Sequence, residues 1–262
     1  MGLCRRRLQC RVLHWRARSL VCLRRPLRFV ALIAAERLLP AFVALFAIAG
    51  CSGDDGSMAA SPAANTEAIP VGTGFDFYVL SLSWSPSWCK ANDPQGKTDQ
   101  CETGGRRRGL VVHGLWPQYE RDYPENCPSQ APRRVPEALG RQYLDLIPSM
   151  GLIGHQWRKH GTCSGLGQAD YFAVTRMARE RLTIPPDLLS TGQSRNLSVS
   201  SIESAFVKKN PGMTQQMIAV TCEGRLLDEV RICFDKELNF RTCPGVDSRA
   251  CRRSAVVLPS AQ

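Results

Sequence analysis

Eight cysteines fall between residues 89 and 251: Cys89, Cys101, Cys127, Cys163, Cys222, Cys233, Cys243 and Cys251. An even set in an exported domain points to four disulfides, which would fix a loop-rich chain in an oxidising compartment. Eight cysteines can pair in about a hundred ways, so the connectivity is open at this level. No two stand in a C-x-x-C arrangement, and that argues against a structural zinc site.

The other four cysteines lie earlier. Cys4, Cys10 and Cys22 fall in an Arg-rich stretch that reaches Arg37 and precedes the apolar run Leu38–Gly50. Such a basic segment followed by a short apolar run has the form of an export signal. Its apolar part is 13 residues, shorter than the roughly twenty that a membrane span needs. The run ends in Ile48-Ala49-Gly50-Cys51 and then turns polar. Small residues before a cysteine there resemble the lipobox of bacterial lipoproteins, which implies cleavage before Cys51 and a lipid anchor on its sulfur. The competing reading is ordinary cleavage nearby and release into the periplasm or the medium. Residues 1–50 hold ten Arg, one Glu and no Lys, so +9 of the chain's +11 sits there and +2 remains for the rest. The basic balance therefore belongs to the signal and carries no message about partners.

Residues 51–73, rich in Ser, Ala, Gly and Pro, read as a flexible tether, and 74–262 as one folded domain with room for a real core. Tyr78–Ser85 alternates Tyr78, Leu80, Leu82 and Trp84 with smaller residues, the pattern of a half-buried strand. Leu110–Val112 is a short apolar run that stops at His113. Met217–Cys222 and Leu226–Phe234 are further strand candidates, joined by a hairpin at Gly224. Helices are expected over 136–147, 155–160, 169–183 and 201–209, the last opened by a Ser200-x-x-Glu203 capping box. Strands at both ends with helices between them predict an α+β fold, a central antiparallel sheet flanked by helices. The tail after Cys251 shows no pattern.

Two segments concentrate the chemistry. One is His113-Gly114-Leu115-Trp116-Pro117; the other runs His155-Gln156-Trp157-Arg158-Lys159-His160-Gly161-Thr162-Cys163. Together they hold every histidine after residue 50. On a helix, at about 100° per residue, His155, Lys159, Gln156 and His160 share an arc of about 140° while Trp157 and Arg158 point away. Two imidazoles, an ammonium and an amide on one face suit a phosphate.

Cleaving RNA through its own 2′-hydroxyl needs a base for that proton and an acid for the leaving 5′-oxygen, and imidazoles serve both roles near neutral pH. A cation must also steady the charge that builds on the phosphorane oxygens. His113, His160 and Lys159 can supply these without a metal. Each residue also has a plainer reading alone: His113 as a turn or core residue, His155 and Lys159 as a solvated helix face, and Trp116 as core. A zinc site is the sharper rival. It fails because the helical histidines are five apart and diverge, while positions 156 and 159 are Gln and Lys. Tyr119 and Tyr123 are candidate base-stacking partners.

At these two segments the sequence resembles the ribonuclease T2 family of broad-specificity secreted ribonucleases. The HGLWP segment is similar to that family's first active-site motif. The segment from His155 to Cys163 is similar to its H-E-W-x-K-H-G-T-C motif, about forty residues downstream as in the family. Phe75–Cys89 resembles its opening strand, and the stretch from Val220-Thr221-Cys222 to Cys243-Pro244 its closing strands. The resemblance implies a bacterial member that cleaves single-stranded RNA with broad base tolerance through 2′,3′-cyclic phosphates. It implies His160 as general base, His113 as general acid, Lys159 stabilising the transition state, His155 binding phosphate and Trp116 forming part of a base site. It further implies the disulfides Cys127–Cys163, Cys89–Cys101, Cys222–Cys251 and Cys233–Cys243. No cofactor is expected; RNA is the expected partner, with membrane contact only through a Cys51 anchor, and the protein is expected to be a monomer.

One position departs from the family: its glutamate is Gln156 here. An amide can still hydrogen-bond a phosphoryl oxygen but brings no negative charge to a neighbouring imidazolium. An active enzyme with a lowered rate or shifted pH profile is expected. The alternative is a catalytically silent envelope lipoprotein that binds RNA or another polyanion.

Overall fold

The computed structural model describes residues 68–101, 108–189 and 192–260. The segment expected to be an export signal, Cys51 and most of the expected tether lie outside them. In chain order the described elements are β1 (Phe77–Trp84), α1 (Ser85–Asn92), β2 (Leu110–Gln118), α2 (Glu137–Gly140), α3 (Met150–Lys159), α4 (Gln168–Glu180), β3 (Arg195–Ser198), α5 (Val199–Lys209), β4 (Ile218–Glu223), β5 (Leu226–Phe234), α6 (Pro244–Asp247) and β6 (Ala255–Leu258). The fold is α+β, as expected. Its sheet runs β2-β1-β5-β6-β3, with β4 paired on β5. The pairings are antiparallel except for the contact of β5 with β6 at Leu226 and Val257.

β1 lies at the centre of the site-bearing region and is buried along its whole length, not half-buried. Tyr78, Leu80, Leu82 and Trp84 enter the main core with Trp157, Tyr171, Phe172 and Phe206. The opposite face is covered too: Phe77 and Val79 pack with Ala219, Cys233, Cys243 and Val246 in a second cluster. Full burial of a large apolar side chain contributes about 1.5–3 kcal/mol, so both faces of β1 help to anchor the sheet.

The helix that carries the second motif begins earlier than 155. Ser149 caps it, its hydroxyl accepting from the Leu152 amide at 3.2 Å, and Ile153 and Trp157, one turn apart, are buried beneath it. Gly151 and Gly154 weaken the helical signal of that first turn in the sequence. The helix expected over 136–147 shrinks to α2 and a 3₁₀ turn at 141–143, with Gly140 set against Met150. The helix expected over 169–183 ends at Glu180, ahead of Pro185. The capping box at Ser200 is a misassignment. Ser198 is the cap, its side chain accepting from the Ser201 amide, and Glu203 instead faces the Val220 amide on β4. Gly224, at φ +56°, makes the expected β4–β5 hairpin.

Disulfides join Cys89–Cys101, Cys127–Cys163, Cys222–Cys251 and Cys233–Cys243, the pairs that the family resemblance implies. The patternless tail becomes β6, which pairs with β3. Cys222–Cys251 holds its approach, assisted by the Cys251 amide donating to the Val220 carbonyl at 2.7 Å.

Candidate active site

The first motif does not follow a strand; it lies within one. β2 continues through Pro117, and His113 occupies a bulge: Ser81 faces Gly114 and Leu82 faces Val112, which leaves His113 without a partner on β1. A bulge redirects a side chain that regular alternation would send elsewhere. A second bulge sits across β1 on β5. Val220 faces Val230 and Cys222 faces Leu227, so Asp228 and Glu229 together oppose Thr221 alone. Thr221 Oγ1 accepts from the Glu229 amide at 3.1 Å and donates to Asp228 Oδ2 at 3.2 Å.

The two bulged strands flank β1, and their side chains meet above it. His113 Nδ1 and Glu229 Oε1 lie 2.5 Å apart. Glu229 Oε2 accepts from Arg231 Nε at 2.9 Å and Nη2 at 2.7 Å. The contact is possible because β1 contributes only Ser81 and Ser83 to this part of the face, in register with Arg231 and Glu229. Larger side chains in those two places would fill the gap.

Helix α3 supplies the opposite wall. His155, Gln156, Lys159 and His160 line one cleft of about 450 Å³, together with His113, Trp116, Gln118, Tyr123, Glu229 and Arg231. The helical-wheel face is therefore the face that meets the sheet. Trp116 stands between the imidazoles: His113 meets it edge-on at 5.4 Å between centroids, and His160 stacks on it at 5.2 Å. Trp116 Nε1 donates to Gln156 Oε1 at 2.9 Å. Gly114 makes that bond possible, since a Cβ there would collide with Gln156 Oε1. Gly161 is required for a similar reason, because a Cβ would run into the Trp157 ring.

The end of α3 is latched to the loop before Cys127. Besides the Cys127–Cys163 disulfide, the Asn126 amide donates to the Lys159 carbonyl at 2.8 Å, and Glu125 lies 3.3 Å from Lys159 Nζ. Of the two tyrosines, Tyr123 lines the cleft and Tyr119 does not.

The model of the ribonuclease T2 family matches residues 75–243, a span that contains both histidine segments and Glu229. The chain belongs to the ribonuclease T2 family. It is a T2-type endoribonuclease, and its substrate is RNA. Among its relatives is a ribonuclease of Aeromonas hydrophila, 35% identical over 68% of this chain and 76% of that protein. Among solved structures, an RNase-related protein from Calystegia sepium shares the fold, with a TM-score of 0.57 at 23% identity over 72% of this chain and 100% of that one. RNase NT, crystallised with 5′-AMP, superposes with a TM-score of 0.52 at 25% identity over 66% of this chain and 92% of its own.

In this T2 ribonuclease the two central histidines differ in their partners, Nδ1 of His113 meeting the Glu229 carboxylate. His160 is buried, and its Nδ1 has no hydrogen-bond partner. Burial foremost, then the positive charges of Lys159, His113 and His155, press its pKa from 6.5 to about 3. His155 is lowered as well, by burial and then by Lys159. Burial alone would push the Glu229 carboxyl up, but the hydrogen bonds and charges of His113 and Arg231 together outweigh it and hold it at about 2.

Sequence patterning overlooks Glu229 and Arg231. In Leu226–Phe234 they read as the outward half of an alternating strand, whereas Glu229 is 4% exposed. A usable signal is present: a carboxylate and a guanidinium two apart share one face of a strand, and Cys233 continues that face with a disulfide cysteine.

Proposed function

We propose that this endoribonuclease cleaves single-stranded RNA with broad base tolerance, without a metal, through 2′,3′-cyclic phosphate ends. The observation that carries this is the placement of two imidazoles against one indole in a single cleft, one buried and one hydrogen-bonded to a carboxylate. His160, whose burial keeps it free of a proton over the working range, takes the proton of the 2′-hydroxyl. His113, backed by a carboxylate, protonates the departing 5′-oxygen. Lys159 offsets the charge on the non-bridging oxygens, and His155 grips the phosphate. The roles of the two central histidines exchange if the cyclic phosphate is hydrolysed.

Gln156 fits this scheme in a specific orientation. An indole nitrogen only donates, so the atom facing Trp116 is the amide oxygen, and Nε2 is left buried without a partner. A phosphoryl oxygen in the cleft would accept from it. Trp116 borders the base position, and Tyr123, an exposed ring at the cleft, offers a face that any base can use, which supports broad tolerance.

For cellular placement, residues 1–50 serve as an export signal and Cys51 as the lipid-anchor site, with 51–73 as tether and 74–262 as a monomeric catalytic domain on the far side of the membrane. Four disulfides support an oxidising destination.

The test is RNA cleavage by the oxidised protein in EDTA between about pH 4 and 8, with His113→Ala and His160→Ala alongside. Cyclic-phosphate ends that vanish in both variants are the expected result. Loss of cleavage in EDTA, restored by a divalent cation, would sink the metal-free mechanism. A wild type that binds RNA yet cleaves none at any pH would favour the silent binder instead.

A further inference from the structure

We infer that Glu229 is the positioning residue for His113, and that Arg231 holds Glu229, so that a guanidinium–carboxylate–imidazole chain with a buried carboxylate at its centre sets the proton inventory of the general acid. The inference rests on the proposed role of His113.

The geometry specifies each link. A carboxylate carries no proton to offer, so the atom of His113 facing Glu229 must be Nδ1–H. The proton available for transfer then resides on Nε2, the one arrangement in which an imidazole can protonate a leaving oxygen and stay hydrogen-bonded behind. The two oxygens of Glu229 are divided: Oε1 serves His113, and Oε2 takes both Arg231 donors. Its side chain is 5% exposed, so water does not compete for these bonds. Its backbone is pinned at the bulge by Thr221. Arg231 also lies over the Trp116 ring at 5.2 Å, so one guanidinium fixes both the carboxylate behind His113 and the indole between the two histidines. Stability alone does not call for this arrangement, since a buried ion pair gains little over apolar residues of the same size. A partner held at a fixed distance behind a catalytic histidine does set its tautomer and orientation.

The replacement Glu229→Gln gives a sharp expectation. Arg231 demands an acceptor where Oε2 stood, so the amide nitrogen falls opposite His113 Nδ1. An N–H there excludes the Nδ1–H that the imidazolium needs. For a dinucleotide, whose leaving group is an alkoxide, kcat should fall about a hundredfold or more with KM changed less than about twofold. For a nucleoside 3′-(p-nitrophenyl phosphate), whose leaving group departs without a proton, the loss should stay under about tenfold. Arg231→Lys, which keeps the charge and loses the fork, should show the same split at smaller size. Equal losses on both substrates would mean a merely structural role and would overturn the inference.

Histidine ¹⁵N spectra decide the matter independently of turnover and of how the variants fold. The expected signature is a protonated Nδ1 on His113 in the wild-type protein. A bare Nδ1 overturns the inference even in an active enzyme. A wild type that turns over neither substrate overturns the proposed reaction, and the spectra still judge the Glu229–His113 link.

Discussion

Trp116 Nε1 donates to Gln156 Oε1 across 2.9 Å, and this bond joins β2 to α3 with one partner from each motif. Gly114 lies beneath it with no side chain, and His160 stacks on the same indole. Trp116→Phe should keep a ring against His160 while leaving a buried amide oxygen without its donor. A buried acceptor left unmade costs about 1–3 kcal/mol, so the unfolding midpoint should fall accordingly. The turnover number should fall with it, as Gln156 loses its orientation. Chemical denaturation and steady-state kinetics on the same variant check both.

Gln156→Glu should shift the pH profile in a defined direction. A carboxylate in that place favours the protonated form of its neighbour His160, which is now held at about 3. As the proposed base works only when deprotonated, the acid limb of kcat/KM should move to higher pH, by about one unit. An unchanged acid limb would separate Gln156 from the protonation of His160.

Stability should decline on mild acidification. The His160 pKa is about 3 in the folded protein against an ordinary 6.5, so below 6.5 the unfolded chain takes up a proton that the folded one refuses. This contribution is fully present above pH 6.5 and is lost as the pH falls toward 3, at up to about 1.4 kcal/mol per pH unit. Glu229, depressed to about 2 from 4.5, acts with the same sign, its contribution fading as the pH falls below 4.5. Urea midpoints measured from pH 8 down to pH 3 should therefore fall, starting near 6.5. His160→Phe, which keeps the stack on Trp116, should flatten the part of the curve between 6.5 and 4.5.

The Cys127–Cys163 bridge closes a separation of 36 residues, for which chain entropy gives about 4 kcal/mol. Replacing both cysteines by alanine should lower stability by an amount of that order. It should also lower turnover, because the bridge holds the end of α3 to the loop that carries Glu125 and Asn126. The other three bridges should remain detectable by non-reducing peptide mapping. Full turnover in the double variant would show that the remaining Asn126–Lys159 contact suffices to set the helix end.

Much of the site is legible in the order of residues alone. His113, His155, Gln156, Lys159 and His160 stand out because histidines are few and the 3.6-residue period places the helical four on one face. The strand pattern of β1, β4 and β5 is legible for a similar local reason, the alternation of side chains along an extended chain. Helix boundaries are less so. Ser149 and Ser198 compete with other polar residues as caps, and the choice depends on which apolar side chains, such as Ile153 and Ile202, the core accepts.

What the sequence by itself determined is the inventory and local spacing of the chemistry: two motifs, their imidazoles and ammonium, and eight cysteines in the folded part. Tertiary structure alone decided that His113 sits in a bulge and not after a strand, that β1 is covered on both faces, and that the tail becomes β6. It alone brought Glu229 and Arg231 to His113. The physical reason is the range of the interactions. Helical and strand periodicities act over a few residues and leave their trace in the order of side chains. The His113–Glu229 contact spans 116 positions and depends on the pairing register of three strands and on two serines small enough to leave the space between them.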